Sequence, residues 1–181
     1  MKTKRIVITG GPGSGKTALI NYLQQKGYPC IPEISREVTL KAQADGIDQL
    51  FLKDPIHFSE LLRKGRVQQF EASHSIQEPT IFFDRGLPDI TAYMEYLGVS
   101  YPAFFSETHL KYRYDAIFVL PPWKEIYRQD NERYESYEQA EIIFNFLHRE
   151  YMQNNYEVHH VPTGSLEYRS AYILKKLETL F

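Results

Sequence analysis

Residues Gly10-Gly11-Pro12-Gly13-Ser14-Gly15-Lys16-Thr17 spell the pattern G-x-x-x-x-G-K-T, and no other stretch of the chain restricts its fold as tightly. An apolar β-branched run, Arg5–Thr9, precedes the pattern, and a stretch with helical periodicity starts at Lys16. Strand, glycine loop and helix in that order form the setting in which this pattern holds phosphate. Glycines let successive backbone N–H groups face an anion, and the helix start adds its positive end. Lys16 then supplies a cation for the β and γ phosphates, and Thr17 a hydroxyl for Mg²⁺. Gly11, Gly13, Ser14, Gly15, Lys16 and Thr17 are therefore the expected contacts of ATP or GTP. The overlapping run Gly13–Ala18 also fits the dinucleotide pattern G-x-G-x-x-[GA], with Glu33 at the separation of a ribose-binding acid. Position decides against that reading, because its first glycine belongs at the strand end and Gly13 lies well past Thr9.

Beyond the loop, short apolar runs alternate with longer helical stretches, which predicts a parallel sheet with crossover helices. Strands are expected at 5–9, 28–34 (weakened by Pro29 and Pro32), 80–84, 116–120 and 157–161. Helices are expected at 16–26, closed by Gly27, at 58–75, at 88–97 with Asp89 in its first turn, at 136–154, and from Leu166 onward. With 181 residues, 43% of them hydrophobic and 24% charged, the chain reads as one self-sufficient domain. Residues 124–135 are unusually polar and read as a mobile surface segment or lid.

A net charge of -2 gives no global attraction to nucleic acid or to an anionic membrane, so a bound anion needs a local site. Cys30 is the only cysteine, which excludes an internal disulfide and a cysteine-based metal cluster and fits a reducing compartment. Ile6-Val7-Ile8 is cut short by Thr9-Gly10-Gly11 before an export signal forms, and no run of about 18 apolar residues spans a bilayer. The expected location is the cytoplasm.

Several residues outside the loop carry chemistry. Asp84 ends the third strand beside the loop, where an acid would hold Mg²⁺. Arg85 follows it where hydrolytic motors place a glutamate, which favours a hydroxyl-bearing or anionic substrate over hydrolysis, and the GTPase pattern [NT]-K-x-D is absent. Glu33, after the second strand, either accepts a proton from a substrate hydroxyl or pairs with Arg36 as an ordinary helix-start acid. Arg128 and Arg133 stand in the polar segment where they could close over the γ-phosphoryl group, Arg133 being the stronger candidate. Gln69 is a candidate for a substrate amide or a plain surface residue, and Gly164, in Thr163-Gly164-Ser165, for passing the nucleotide base or making a turn. His159-His160 lacks metal-ligand spacing, and Cys30 reads as a buried filler.

The P-loop, the run Glu33-x-x-Arg36-Glu37, Phe83-Asp84-Arg85-Gly86 with Asp89 and Tyr93, and Asp130-x-x-Arg133-Tyr134 together resemble the AAA-like ATPase/kinase family. That family includes the ribosylnicotinamide kinase domain of the bacterial NAD regulator, and the layout is more distantly similar to nucleoside and nucleotide kinases. The resemblance implies a three-layer P-loop NTPase fold with strand order 2-3-1-4-5. It also implies an acid after strand two as base, an acid–arginine pair after strand three, and an arginine lid. Glu33 and Asp84 would take the carboxylate roles, Arg85 and Arg36 would meet substrate, and Arg133 would be the lid residue. The function so implied is transfer of the γ-phosphate of Mg-ATP to a small nucleoside-like or other metabolite acceptor. A nucleotide-dependent regulator and a slow NTPase are the competing readings, and the sequence leaves the acceptor, the choice of ATP or GTP, and the oligomeric state open.

Overall fold

The computed structural model describes residues 3–47, 49–127 and 135–181. Their five strands are β1 (Lys4–Gly10), β2 (Cys30–Ile31), β3 (Thr80–Asp84), β4 (Ala116–Leu120) and β5 (Val158–His160). They form one parallel sheet in the order β2-β3-β1-β4-β5. Parallel strands buried on both faces need near-continuous apolar sequence. Ile6, Val7 and Ile8 of β1 and every residue of β4 meet that need and are buried.

The two faces follow from the period-two alternation of strand side chains. Val7, Ile81, Phe83 and Ile117 point into one core. It is covered by α4 (Pro55–Ala72), α5 (Pro88–Tyr96), α6 (Phe104–Lys111) and α7 (Tyr137–Gln153). Ile6, Ile8, Phe82 and Phe118 point into the other, covered by α1 (Lys16–Gln25) and α8 (Leu166–Leu180). The expected three-layer P-loop fold and its strand order are both present. Gly27 has a φ of +92° just past α1, as a glycine closing a helix should. Ser136 caps α7 through a reciprocal capping box with Gln139. No helix among the described residues is long and apolar enough to cross a membrane.

Some expected boundaries move for identifiable reasons. The second strand shrinks from 28–34 to two residues, because Pro29 and Pro32 have no N–H for the ladder. The Pro29 carbonyl still accepts from Phe82 N–H at 2.9 Å. The helix expected from residue 58 starts at Pro55 because Asp54 caps it, accepting from His57 N–H at 2.9 Å, and it ends at Ala72 in a single tight turn, Ser73–Ser75. Two short helices between β2 and α4, α2 (Ser35–Ala44) and α3 (Leu50–Lys53), were not expected; α2 buries Ala42 and α3 Leu50, too little for a legible stripe. Cys30 is half-buried rather than fully buried.

Candidate nucleotide and acceptor site

Every strand's carboxyl end opens on the same edge of the sheet, the place where open parallel sheets bind ligands. The glycine loop leaves β1 there. Gly13 and Gly15 sit at φ of +70° and +74°, a conformation that L side chains rarely adopt. A side chain at Gly13 would run into the Tyr127 ring, and one at Gly15 would come within 2.8 Å of Arg169 Nη1. Ser14 is buried, and its hydroxyl has no hydrogen-bond partner among the described residues. An orphan hydroxyl in a glycine cradle at a helix start fits the oxygens of a bound phosphate chain.

Lys16 is buried, and its Nζ pairs with Asp84 Oδ1. Burial pushes the Lys16 ammonium below its ordinary range and nearby Arg85 adds to this, while the Asp84 and Glu33 carboxylates oppose it. Thr17 is exposed in the first turn of α1. Among the described residues no three His, Cys, Asp or Glu side chains gather as a metal cage. Thr17 and Asp84 are the oxygen donors at hand, and Mg²⁺ commonly takes one or two protein oxygens and completes its shell with phosphate and water.

Glu33 follows β2 and accepts from Ser35 N–H at 3.0 Å and from the Ser35 hydroxyl. Its guanidinium partner is Arg66 of α4, at 3.1 Å. Burial would raise the Glu33 carboxyl, but Arg66, Arg85 and the Ser35 hydrogen bonds outweigh it and hold the pKa at about 2. Arg85 stands at a φ of +72°, a strained position for a residue with a Cβ and the kind of outlier found at functional sites. Its Nη1 donates to Asp89 at 3.2 Å and its guanidinium lies 5.3 Å from the Tyr93 ring centre. Burial works against the Arg85 charge, yet Tyr93, Asp89, Glu33 and Asp84 more than compensate and raise its pKa. Asp89, buried in the first turn of α5, gathers the edge together by accepting from Thr9, Arg85, Tyr151 and the Gly86 N–H.

Glu33 and Arg85 line the inner end of a pocket of about 540 Å³ together with Arg66 and Asp89, with Phe58 and Tyr93 among its walls. That volume suits a small metabolite. Gln69 does not reach it. Its amide donates to the Pro32 carbonyl at 2.8 Å and it lines a second groove between α2 and α4, so the expected substrate contact is replaced by a bond that steadies the loop before Glu33. Arg36 is exposed on α2 and is not part of the pocket lining. Gly164 follows β5 at a φ of +146°, at the ligand-binding edge. Arg128 and Arg133 lie outside the described residues, as does most of the 124–135 segment; its root brings Ile126 and Tyr127 against Gly15 and Gly13.

Two residues of the site were missed by the sequence reading. Arg66 donates through Nη1 to the Gly86 carbonyl at 2.6 Å and through Nη2 to Glu33. Arg169 of α8 donates to the Ser14 carbonyl at 2.8 Å, with its guanidinium 5.8 Å from the Trp123 ring centre. Both had a signal: Leu62-Arg66-Phe70 and Arg169-Ile173-Leu177 each put an arginine in the apolar stripe of a helix at a spacing of four, where a charge needs a buried partner.

The sequence matches a family model described as AAA domain over residues 5–169. No curated protein matches it significantly. Among solved structures, deoxyadenosine kinase from M. mycoides, with the products dCMP and dCDP bound, is similar with a TM-score of 0.66 and 18% identity. That match covers 97% of this chain and 99% of that one. The NadR protein in complex with NAD and AMP-PNP gives a TM-score of 0.68 and 20% identity over 98% of this chain and 49% of its own. The NadR protein in complex with NR gives 0.70 and 19% over the same shares. The chain thus spans about half the length of NadR. These likenesses establish a shared fold.

Proposed function

The chain belongs to the AAA domain family, and on that premise we propose that it is a P-loop kinase, moving the γ-phosphoryl group of Mg-ATP to a small nucleoside-like or other metabolite acceptor. One observation carries the reading. Asp84 pairs with Lys16 of the phosphate loop, while the next residue, Arg85, lines a pocket large enough for a second substrate. An NTPase needs only water beside its nucleotide; a built pocket one residue away from the phosphate site is what an acceptor needs.

In this proposal Lys16 and the loop amides hold the phosphates, and Thr17 and Asp84 hold Mg²⁺, which neutralises phosphate charge when bound. Glu33, ionised at any physiological pH, accepts a hydrogen bond from the reacting hydroxyl and aims it. In a loose transition state the proton leaves late, so orientation matters more than basicity. Arg85 faces the acceptor or the transferred group, and Arg66 positions Glu33. Arg133 and Arg128 are assigned to the transferred phosphoryl group, and Gly164 to the nucleotide base, on sequence grounds alone. A nucleotide-dependent regulator or a slow NTPase is the alternative.

The test is ADP formation by purified protein with Mg-ATP and a panel of nucleosides, nucleotides and vitamin precursors. The expected result is stimulation by an acceptor, lost by roughly 10² to 10⁴ in Glu33→Gln while nucleotide binding persists. Nucleotide-dependent binding of a macromolecule with no acceptor-stimulated turnover would overturn the proposal.

A further inference from the structure

The pocket beside Glu33 changes character along its depth. At the sheet edge the polar groups are already engaged: Arg66 with Glu33 and Gly86, Arg85 with Asp89, and Asp89 with three further donors. Two more polar lining residues are also occupied, since Thr39 donates to the Ser35 carbonyl and the Gln139 side chain caps α7. Away from the edge the surface is hydrocarbon. Leu62, Ile90 and Met94 are buried there, and the rings of Phe51 and Phe58 stand side by side with centres 6.2 Å apart. Leu52 and Leu97 carry the apolar surface out to the rim, where they are 59% and 49% exposed.

Two described residues of that wall are polar: Gln49, which is exposed to solvent, and Ser59, which is not. It sits on the buried side of α4, is only 6% exposed and lines the pocket, yet its hydroxyl makes no hydrogen bond among the described residues. A helical serine ordinarily bonds back to the carbonyl four residues earlier, here Pro55. A near-buried hydroxyl without a partner leaves one hydrogen bond to be made from the apolar end of the pocket.

We propose that this pocket takes an acceptor whose non-reacting end is an uncharged apolar ring or branched hydrocarbon body carrying a single hydrogen-bonding group, which meets Ser59. The inference rests on the kinase reading of the same site, which puts the reacting hydroxyl at Glu33. The purine or cytosine edge brings two or three donors and acceptors against Leu62, Met94 and the phenyl rings. Each one left unpaired there costs on the order of tenfold in affinity. A hydrocarbon body gains instead, by roughly fourfold per methylene removed from water. Among the described lining residues the charged groups are Glu33, Arg66, Arg85 and Asp89, which pair with each other, and Glu135; Leu62, Ile90, Met94 and the two phenyl rings bring no counter-charge to a cationic ring. In the transfer itself the acceptor oxygen bonds to the γ-phosphorus as the bridge to ADP breaks, and the hydroxyl proton passes by way of Glu33 to solvent.

Ribosides matched at the sugar and differing only in the attached ring give the test: phenyl riboside, 3-hydroxyphenyl riboside, a pyridinium riboside, cytidine and guanosine. Binding to the full chain is measured by calorimetry in the presence of a non-hydrolysable ATP analogue, and ADP formation is followed in parallel. The hydroxyphenyl compound should bind at least tenfold more tightly than guanosine, cytidine or the pyridinium riboside. Ser59→Ala should erase its advantage over phenyl riboside and leave the phenyl compound unchanged. Leu52→Asn, at an exposed rim position, should weaken both several-fold without unfolding the protein. Tighter binding of guanosine, cytidine or the pyridinium compound, or no binding of any riboside at millimolar concentration, overturns the inference. Apolar ribosides that bind without stimulating ADP formation overturn the kinase reading and leave the pocket's specificity standing. Stimulation confined to base-bearing nucleosides does the reverse.

Discussion

Arg66 and Glu33 lie 33 positions apart in the chain and meet at 3.1 Å, and the other arm of the same guanidinium takes the Gly86 carbonyl at 2.6 Å. One side chain from α4 thus ties the loop after β2 to the loop after β3. Both loops lead into the phosphate edge, so the carboxylate that would aim the acceptor and the arginine that would face it are held by a common strut.

Removing that strut should be costly. Arg66→Met leaves Glu33 and the Gly86 carbonyl without their partner, and loss of one member of a buried pair costs about 3 kcal/mol. The Glu33 side chain is 21% exposed, which places the expected loss at the lower end of such effects. The double variant Arg66→Met/Glu33→Gln should recover part of it, because the orphan charge is gone. Urea denaturation of both variants checks this; a double variant no more stable than Arg66→Met would show that the pair does not couple.

Lys16→Ala should remain folded but melt at a lower temperature, since it leaves the buried Asp84 carboxylate unpaired. Nucleotide binding should weaken and turnover vanish, because the loop amides remain while the charge facing the phosphates is lost. Circular dichroism melts and an ATP titration report the two effects separately. Wild-type nucleotide affinity in the folded variant would remove Lys16 from the site.

The two carboxylates should separate in their response to metal. Asp84→Asn is expected to need more Mg²⁺ and to recover partly at high concentration, as loss of one metal-binding oxygen would. Glu33→Gln should show the Mg²⁺ dependence of the wild type with a lower maximal rate. Rate against Mg²⁺ for both variants decides it, and recovery of Glu33→Gln alone would exchange the two roles.

Acid should destabilise the fold in two windows. Burial holds His109 at about 4, so between the ordinary histidine value of about 6.5 and pH 4 the unfolded chain binds the extra proton and stability falls as pH falls. The neighbouring Glu150, raised by burial, acts with the opposite sign, and His109→Gln isolates the histidine's share. The Glu33 contribution is complete above the unfolded carboxyl pKa of about 4.3 and is lost toward about 2. Unfolding free energy measured from pH 7 to 2 should lose its upper slope in His109→Gln and its lower slope in Glu33→Gln. Identical profiles for all three proteins would contradict the assignment.

What could be read in advance was local. The glycine loop, the strand before it, the helix start at Ser136 and the acid–arginine pair at Asp84-Arg85 each occupy a few consecutive residues, and backbone sterics or short-range hydrogen bonding dictates their geometry. Strand β2 and Gln69 misled for the same reason: the prolines and the glutamine are local signals, while their outcome depended on Phe82 and the Pro32 carbonyl, far away in sequence.

The sequence alone determined that a phosphate loop joins a buried strand to a helix, that the sheet is parallel, and that Asp84 and Arg85 stand at the strand end, because each follows from periodicity and spacing. Only the tertiary structure decided which charges meet. Arg66 reaches Glu33, Arg169 reaches the Ser14 carbonyl, and Asp89 collects Thr9, Arg85 and Tyr151 because helices packed on a common sheet bring distant positions to one edge. A buried charge must find a partner, but which partner it finds is set by how the helices pack around it.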